Sequence, residues 1–210
     1  MFRDRIEAGT LLAQKLKKYV GREGIVLAVP RGGVPVAYAV AKELNLPVEI
    51  VLTKKIGHPM DKEYAIGVAS LTDYFVTPHE GVSDIYIQTE IKKIRLRLQE
   101  MYTKFMGNKE AENIEGKIVI VIDDGIATGN TMLGTVHVLR KSKPGKIIVA
   151  APVASNSAVR MLSKEADEVI VALMPDEFYG VGACYEDFEQ VSDEEVMFYL
   201  DKLREFRKAG

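Results

Sequence analysis

The chain has 210 residues, of which 47% are hydrophobic and 28% are charged, a composition typical of one globular domain and not of a disordered protein. Its formal net charge of −2 gives no electrostatic basis for binding nucleic acid, and neither a membrane span nor a secretory signal is visible in the sequence. The single cysteine, Cys184, cannot form an internal disulfide and favours a reducing cytoplasm as the location.

Apolar residues follow helical and strand patterns in alternation along the chain. Ile6, Leu12, Leu16 and Tyr19 recur at helical spacing and predict an amphipathic first helix. Short apolar runs predict strands at residues 25–29, 48–52, 117–122, 146–150 and 168–172, with a strand pair at 64–70 and 74–76. Helical patterns cover residues 34–44, 84–105, 131–141, 156–166 and 192–208, the last with a capping box at its start.

Strands that alternate with helices predict an α/β fold, here a doubly wound and mainly parallel sheet. We expect a core domain over residues 1–173, with residues 174–210 forming a small C-terminal segment packed on the same domain. Ligands of such sheets bind at the carboxyl ends of the strands. The loops that follow the predicted strands are therefore the places to look for a site.

The segment VIVIDDGIATGNTM, residues 119–132, has the strongest chemical pattern in the chain. A buried strand ends in Asp123 and Asp124, and adjacent carboxylates at a strand end can accept hydrogen bonds from a vicinal diol such as that of ribose. A loop of small and hydroxyl residues then opens a helix, where backbone N–H groups with the Thr128 and Thr131 hydroxyls can cradle a phosphate. The residues alone leave open an ordinary strand-to-helix turn with an Asp cap.

A nucleotide hydrolase is a further alternative, because four apolar residues before an Asp are similar to a Walker B strand. That class needs a phosphate loop of the form G-x-x-x-x-G-K-[ST], and the sequence contains none. Turnover of ATP in the absence of any other phosphate donor would identify such an enzyme.

The motif resembles the binding site for 5-phosphoribosyl-1-pyrophosphate (PRPP) in type I phosphoribosyltransferases. The chain looks most like the members of that family that carry PRGG, DDGxATG and YEDF runs. The resemblance implies that Asp123 and Asp124 hold the ribose hydroxyls. It also implies that the loop after them holds the 5′-phosphate, through Gly125, Ala127, Thr128, Gly129, Asn130 and Thr131.

Three further stretches fall in the family's order. The first is Arg31-Gly32-Gly33 at the expected pyrophosphate loop, where the family often has a non-proline cis peptide and where Arg31 can meet a diphosphate with a forked set of donors. Residues 53–70 match the mobile catalytic loop, and the resemblance implies roles for Lys54, Lys55 and Lys62 near pyrophosphate. From composition alone, residues 57–63 predict a mobile lid, because little in them can be buried. Whether Lys62 and His58 act there or are ordinary loop residues stays open.

The third stretch, residues 174–192, resembles the base-binding hood of the purine salvage members. Phe178 or Tyr179 would stack on a flat base. Glu186 or Asp187 would lie near the metal and pyrophosphate, with Asp187 as the expected metal ligand. The spacing after Phe178 is one residue longer than in the family. The chain also lacks the lysine that the 6-oxopurine enzymes carry after the strand at 146–150, which argues against hypoxanthine or guanine as the acceptor.

The resemblance therefore implies an Mg²⁺-dependent enzyme that transfers the phosphoribosyl group of PRPP to a small nitrogen acceptor and forms homo-oligomers. No Ser/His or Cys/His nucleophile pattern is visible, and this chemistry needs none. The alternative on the same fold is a non-catalytic regulator that binds PRPP or a nucleotide.

Overall fold

The computed structural model describes the backbone of residues 1–209 and the side chains of residues 1–206. Within these residues the helices are α1 (Arg5–Leu16), α2 (Gly33–Leu44), α3 (Asp84–Met106), α4 (Asn130–Lys141), α5 (Asn156–Leu162) and α6 (Asp193–Ala209). The strands are β1 (Gly24–Ala28), β2 (Val48–Ile50), β3 (Thr53–Gly57), β4 (Ala65–Ser70), β5 (Tyr74–Val76), β6 (Ile118–Ile122), β7 (Lys146–Val153) and β8 (Glu168–Leu173). Short 3₁₀ turns cover Lys17–Tyr19 and Gly182–Cys184.

A five-stranded sheet forms the centre of the molecule, in the order β2-β1-β6-β7-β8 with every pairing parallel. Successive residues of β6 face opposite sides: Ile120 and Ile122 pack with α1, α2, α3 and α6, whereas Val119 and Val121 pack with α4 and α5. Apolar residues on both faces need cover from helices on both faces. The predicted doubly wound α/β fold is confirmed.

The strand order fixes where the central sheet can bind a ligand. From β1 the chain crosses over α2 to β2 on one side, and from β6 it crosses over α4 to β7 on the other side. The connections therefore diverge between β1 and β6, which opens a crevice at the carboxyl ends of these two strands. The loop after β1 carries Arg31, Gly32 and Gly33, and the loop after β6 carries Asp123 and Asp124.

A second sheet, antiparallel with the order β3-β4-β5, packs against α3 and α4. The predicted strand pair corresponds to β4 and β5, but β3 is absent from the sequence prediction. A Cβ on Gly134 of α4 would lie only 2.3 Å from Val68 Cγ2 of β4, so helix and strand are in close contact. The Thr53 and Thr135 hydroxyls are 2.9 Å apart and join β3 to the same helix.

Two helix predictions differ from the structure in detail. The sequence pattern places Ile87, Ile91, Ile94, Leu98 and Met101 of α3 on one apolar stripe. Met101 is nevertheless 39% exposed, and Tyr102 is buried instead. The cause is the 3.6-residue period, which rotates the buried face past Met101 by the end of a helix of 23 residues. The helix predicted over residues 156–166 ends at Leu162. No helix among the described residues is long and apolar enough to span a bilayer.

Candidate functional site

Asp123 and Asp124 are the first two residues after β6 and stand at the crevice between β1 and β6. The Asp124 backbone N–H donates to Asp123 Oδ1 at 2.8 Å, so the two carboxylates share a tight turn. Burial, followed by the neighbouring Asp124 carboxylate, raises the pKa of Asp123 well above its ordinary value. Burial and the neighbouring carboxylate thus destabilise the ionised form of Asp123. A bound cation, or a ligand hydroxyl that donates a hydrogen bond, would stabilise it.

The loop after β1 closes directly onto Asp124. Its peptide bond between Pro30 and Arg31 is cis. A Cβ on Gly32 would lie 1.9 Å from Asp124 Oδ2, and one on Gly33 would lie 2.6 Å from the Ile122 carbonyl oxygen. Only glycines allow the two loops this approach. Arg31, Gly32 and Asp124 then line one cleft of about 370 Å³, together with Arg5, Phe188, Gln190 and Val191.

The Arg31 guanidinium reaches across this cleft to the start of α6. Its Nε donates to Asp193 Oδ1 at 2.6 Å, and Lys104 Nζ lies 2.5 Å from the other oxygen of the same carboxylate. The hydrogen bonds from Lys104 and Arg31 lower the pKa of Asp193. Arg31 is thus oriented by α6 and remains 42% exposed at the cleft.

The loop from Gly125 to Gly129 packs against the rest of the protein on one side and is exposed to solvent on the other. A Cβ on Gly125 would lie 2.2 Å from Val181 Cγ1, and Ser155 Oγ donates to the Ala127 carbonyl at 2.6 Å. Gly129 has φ of +79° and precedes the first residue of α4, Asn130. The first N–H groups of a helix lack internal acceptors. They lie here beside side chains that are exposed, those of Ala127, Thr128, Asn130 and Thr131.

The N-terminal segment contributes Arg5 to the same cleft. Arg5 Nε donates to Asp124 Oδ2 at 2.8 Å, and both side chains are largely buried, with exposed fractions of 12% and 15%. Its Nη1 donates to the Glu189 carbonyl at 2.8 Å, and its Cζ lies 4.0 Å from the centre of the Phe188 ring.

Residues 184–187 pair with the first residues of the chain. The Phe2 N–H donates to the Cys184 carbonyl, and the N–H groups of Glu186 and Asp187 donate to the Phe2 and Arg3 carbonyls. Tyr185 is buried and its hydroxyl donates to the Asp124 carbonyl at 2.6 Å. Burial, the largest cause, raises the pKa of that phenol, so the hydroxyl stays a donor.

The three lysines predicted near pyrophosphate lie on or beside the antiparallel sheet. Lys54 is exposed on β3. Lys55 Nζ pairs with Glu63 Oε2 at 2.6 Å across the β3–β4 hairpin. Lys62 Nζ contacts the Tyr86 hydroxyl at 2.6 Å and Glu90 Oε2 at 3.3 Å, so its described contacts are with α3 and not with the crevice.

Three predicted residues lie on the stretch after β8. Phe178 is half-buried and packs against the buried cluster that contains Phe2 and Tyr185, whereas Tyr179 is 82% exposed and its hydroxyl contacts Glu177. Asp187 is exposed and lines a neighbouring cavity with Asp4, Arg5 and Glu189. Among the described residues, no three His, Cys, Asp or Glu side chains gather as a metal site made by protein alone would need.

The family model for the phosphoribosyl transferase domain matches residues 4–187. The chain belongs to the type I phosphoribosyltransferase family. It is 34% identical over its whole length to a Mycobacterium tuberculosis protein named "Putative phosphoribosyl transferase", and it spans 49% of that protein's length. A crystal structure of a Thermus thermophilus protein is 36% identical, with a TM-score of 0.85 over 96% of this chain and 98% of that one.

A shorter stretch of 61 residues, 28% of the chain, is 41% identical to the ribose-phosphate pyrophosphokinase of Pyrococcus furiosus, of which it covers 22%.

The phosphoribosyltransferase fold thus brings Arg31, Gly32 and Gly33 against Asp123 and Asp124, with the loop of residues 125–131 continuing from the acids. Lys55 and Lys62 pair elsewhere, and Tyr179 and Asp187 lie outside the lining of the shared cleft.

Arg5 and Tyr185 are site residues that sequence reasoning missed. Both act across more than 60 residues of chain, and neither stands in a local motif. The one available signal is the aromatic and charged run at residues 185–188, a pattern that equally fits packing beneath a loop.

Proposed function

We propose that the chain transfers the 5-phosphoribosyl group of PRPP to a nitrogen acceptor, such as a nucleobase, and releases pyrophosphate. The observation that carries the proposal is the contact of Gly32 with Asp124 at the switch point of the parallel sheet, beside the loop of residues 125–131. PRPP has a diphosphate, a vicinal diol and a 5′-phosphate. Each of these groups matches one of the three adjoining parts of the site.

Asp123 and Asp124 are proposed to accept hydrogen bonds from the ribose hydroxyls, and residues 125–131 to hold the 5′-phosphate through N–H groups at the start of α4. Arg31, Gly32 and Gly33 would hold the diphosphate, with Lys54 and Lys55 approaching from β3. The proposed base contacts are Phe178 and Tyr179 of the hood, residues 174–192. Lys62 would reach the pyrophosphate only if the β3–β4 hairpin loop left its contacts with α3.

Magnesium fits this donor set. Mg²⁺ is usually bound by one or two carboxylates together with substrate phosphates. The crevice offers the carboxylates of Asp123 and Asp124, and no cluster of three or more His, Cys, Asp or Glu side chains occurs among the described residues. The Asp123 carboxylate and the substrate phosphates would hold the ion beside the diphosphate, because Arg5 already binds one oxygen of Asp124. Asp187, which lines the neighbouring cavity, is a further proposed ligand. When bound, the ion would neutralise charge on the departing pyrophosphate.

The residues around the crevice suit a displacement at C1 of the ribose. The bond from C1 to the pyrophosphate oxygen breaks with both electrons on oxygen, the acceptor nitrogen bonds to C1, and that nitrogen loses a proton. The sugar carries positive charge in the transition state, and the two carboxylates beside it stabilise that charge. Held by the phosphate loop and the acids, the sugar is fixed against the incoming nitrogen.

The proposal is tested by incubating the chain with PRPP and Mg²⁺ in the presence of a panel of nucleobases and small amines, and measuring pyrophosphate release. We expect release with at least one acceptor and none after Asp123→Asn with Asp124→Asn. Asp201→Asn on the exposed face of α6 is the matched control. The proposal is wrong if calorimetry detects no PRPP binding and no acceptor supports release.

A regulator that binds PRPP without turning it over is the second candidate. The observation in its favour is that three cations proposed for the diphosphate or the lid pair with the chain's own acids: Arg31 with Asp193, Lys55 with Glu63 and Lys62 with Glu90. PRPP binding without pyrophosphate release would support it.

We also propose that the chain forms a homo-oligomer, which light scattering measures directly.

A further inference from the structure

Arg5 joins three segments that are distant in sequence. Its guanidinium binds the Asp124 carboxylate at 2.8 Å, donates to the Glu189 carbonyl at 2.8 Å and stacks over Phe188 at 4.0 Å. Each of the three contacts uses a different part of the group: Nε, Nη1 and the planar face. Only a guanidinium, with its fixed fork of donors and its flat π-system, can make all three at once.

The contact decides how Asp124 presents its carboxylate. Oδ2 accepts a hydrogen bond from Arg5 Nε, and the Asp123 side chain lies against the same carboxylate. The backbone of the same residue is fixed from the other side, because the Tyr185 hydroxyl donates to its carbonyl oxygen. With its backbone and one carboxylate oxygen fixed, Asp124 holds its carboxylate in one orientation.

We propose that Arg5 is a positioning residue for the ribose site, which orients Asp124 towards the sugar hydroxyls and links that orientation to the hood. This inference rests on the proposed assignment of Asp124 to ribose. Arg5 acts through Asp124 and does not itself bind the phosphate groups. Two of its three contacts are to Phe188 and Glu189, so Arg5 connects the Asp124 carboxylate to the hood, as Tyr185 connects the Asp124 backbone to it.

Binding of ribose 5-phosphate and of inorganic phosphate distinguishes a role of Arg5 at the ribose site from a general loss of the whole site. Ribose 5-phosphate carries the diol and the 5′-phosphate, whereas inorganic phosphate can occupy only the phosphate loop. We expect Arg5→Met to weaken binding of ribose 5-phosphate at least fivefold in calorimetry and to leave phosphate affinity within twofold. Arg3→Met is the matched control, because Arg3 is 70% exposed and, among the side chains that the structure describes, pairs only with Asp4 and Glu7 beside it.

A double-mutant cycle tests whether Arg5 works through Asp124. In an Asp124→Asn background, adding Arg5→Met should leave ribose 5-phosphate affinity within twofold of Asp124→Asn alone. The same pair also covers the case in which Arg5→Met alone fails to fold, because the double variant no longer buries an unpaired carboxylate. For Arg5→Ala, guanidinium ion at about 20 mM should restore part of the affinity, and the same concentration of Na⁺ should not.

Equal losses for ribose 5-phosphate and phosphate, or additive losses in the cycle, would overturn the inference. If the wild type binds ribose 5-phosphate and Arg5 behaves as expected while no acceptor supports pyrophosphate release, the proposed function fails and the role of Arg5 stands. If the wild type binds neither ligand, both are wrong.

Discussion

Gly32 lies where two loops of the crevice touch. Its φ of −59° is an ordinary right-handed value, so alanine is permitted there by the backbone. The obstacle is Asp124, because a Cβ would fall 1.9 Å from Oδ2. We expect Gly32→Ala to fold, with a melting temperature within a few degrees of the wild type, and to weaken PRPP binding at least tenfold as Asp124 is pushed aside. Unchanged affinity would show that Asp124 can move without loss.

Asp123 and Asp124 carry the ribose assignment. Replacing both with Asn keeps the shape of the turn and removes the charge, so we expect PRPP affinity to fall at least tenfold, or about 1.4 kcal/mol. Calorimetry on the double variant, compared with Asp201→Asn, measures the difference. The idea fails if the affinity is unchanged in a variant whose circular dichroism is that of the wild type.

For single residues, the sequence predicts roles that depend on neighbouring positions in the chain. The acids and the glycines stand in short motifs whose chemistry can be interpreted from neighbouring residues. Arg5 and Tyr185 could not be found in the same way, because their partners are 119 and 61 positions away and the contacts depend on the completed fold. The contact of Arg31 with Asp193 could not be predicted for the same reason, because the two residues are 162 positions apart in the chain.

The β3–β4 hairpin loop, predicted to be a lid, makes a small set of contacts with α3. The Tyr86 hydroxyl donates to the Gly57 carbonyl at 2.6 Å and accepts from Lys62 Nζ at 2.6 Å, so one oxygen holds both ends of the loop. The Tyr86 hydrogen bond is the main cause that raises the pKa of Lys62. Met60 at the tip is exposed.

Tyr86→Phe removes that oxygen and leaves the ring in place. If the loop is a lid, amide hydrogen exchange of residues 58–63 should become at least fivefold faster without ligand, and turnover should change more than PRPP affinity. Tyr74→Phe, on β5 of the same sheet, is the control. Exchange that is equally slow in both variants would favour a plain surface connection.

Element prediction succeeds where one periodicity dominates. The strands of the central sheet are short runs of apolar, mostly β-branched residues bounded by polar ones, and each lies within a few residues of its prediction. β3 escapes prediction because its two adjacent lysines and terminal glycine are typical of a loop, yet its pairing with β4 makes it a strand.

A cluster at the amino ends of β7 and β8 stabilises the molecule on the edge opposite to the crevice. Glu168 accepts hydrogen bonds from Lys18, Tyr19 and Lys146, and so joins the end of the first helical segment to the sheet. Burial opposes ionisation of this carboxyl, but the three hydrogen bonds outweigh it and lower its pKa from 4.5 to about 2.

The sign of the pH dependence follows from that pKa. A carboxyl whose pKa is lower in the folded state stabilises the fold fully above its ordinary value of 4.5, and the stabilisation is lost as the pH falls from there towards 2. Because these ion pairs are partly screened by solvent, we expect Glu168→Gln to lose about 1 kcal/mol of unfolding free energy at pH 7 and to show a flatter decline between pH 5 and 3. Urea unfolding at several pH values measures both, and PRPP affinity should not change. A decline as steep as in the wild type would assign the acid sensitivity to other carboxyls.

The contact of Gly134 with Val68 joins α4, which follows the proposed phosphate loop, to the sheet that carries the hairpin loop. A free energy shared through this contact must act in both directions, because thermodynamic linkage is reciprocal. If ordering of the hairpin loop raises phosphate affinity by some factor, bound phosphate raises the equilibrium constant for ordering the loop by the same factor. The two equilibria can then be measured separately and must return one coupling energy, which Gly134→Ala would reduce by forcing helix and strand apart.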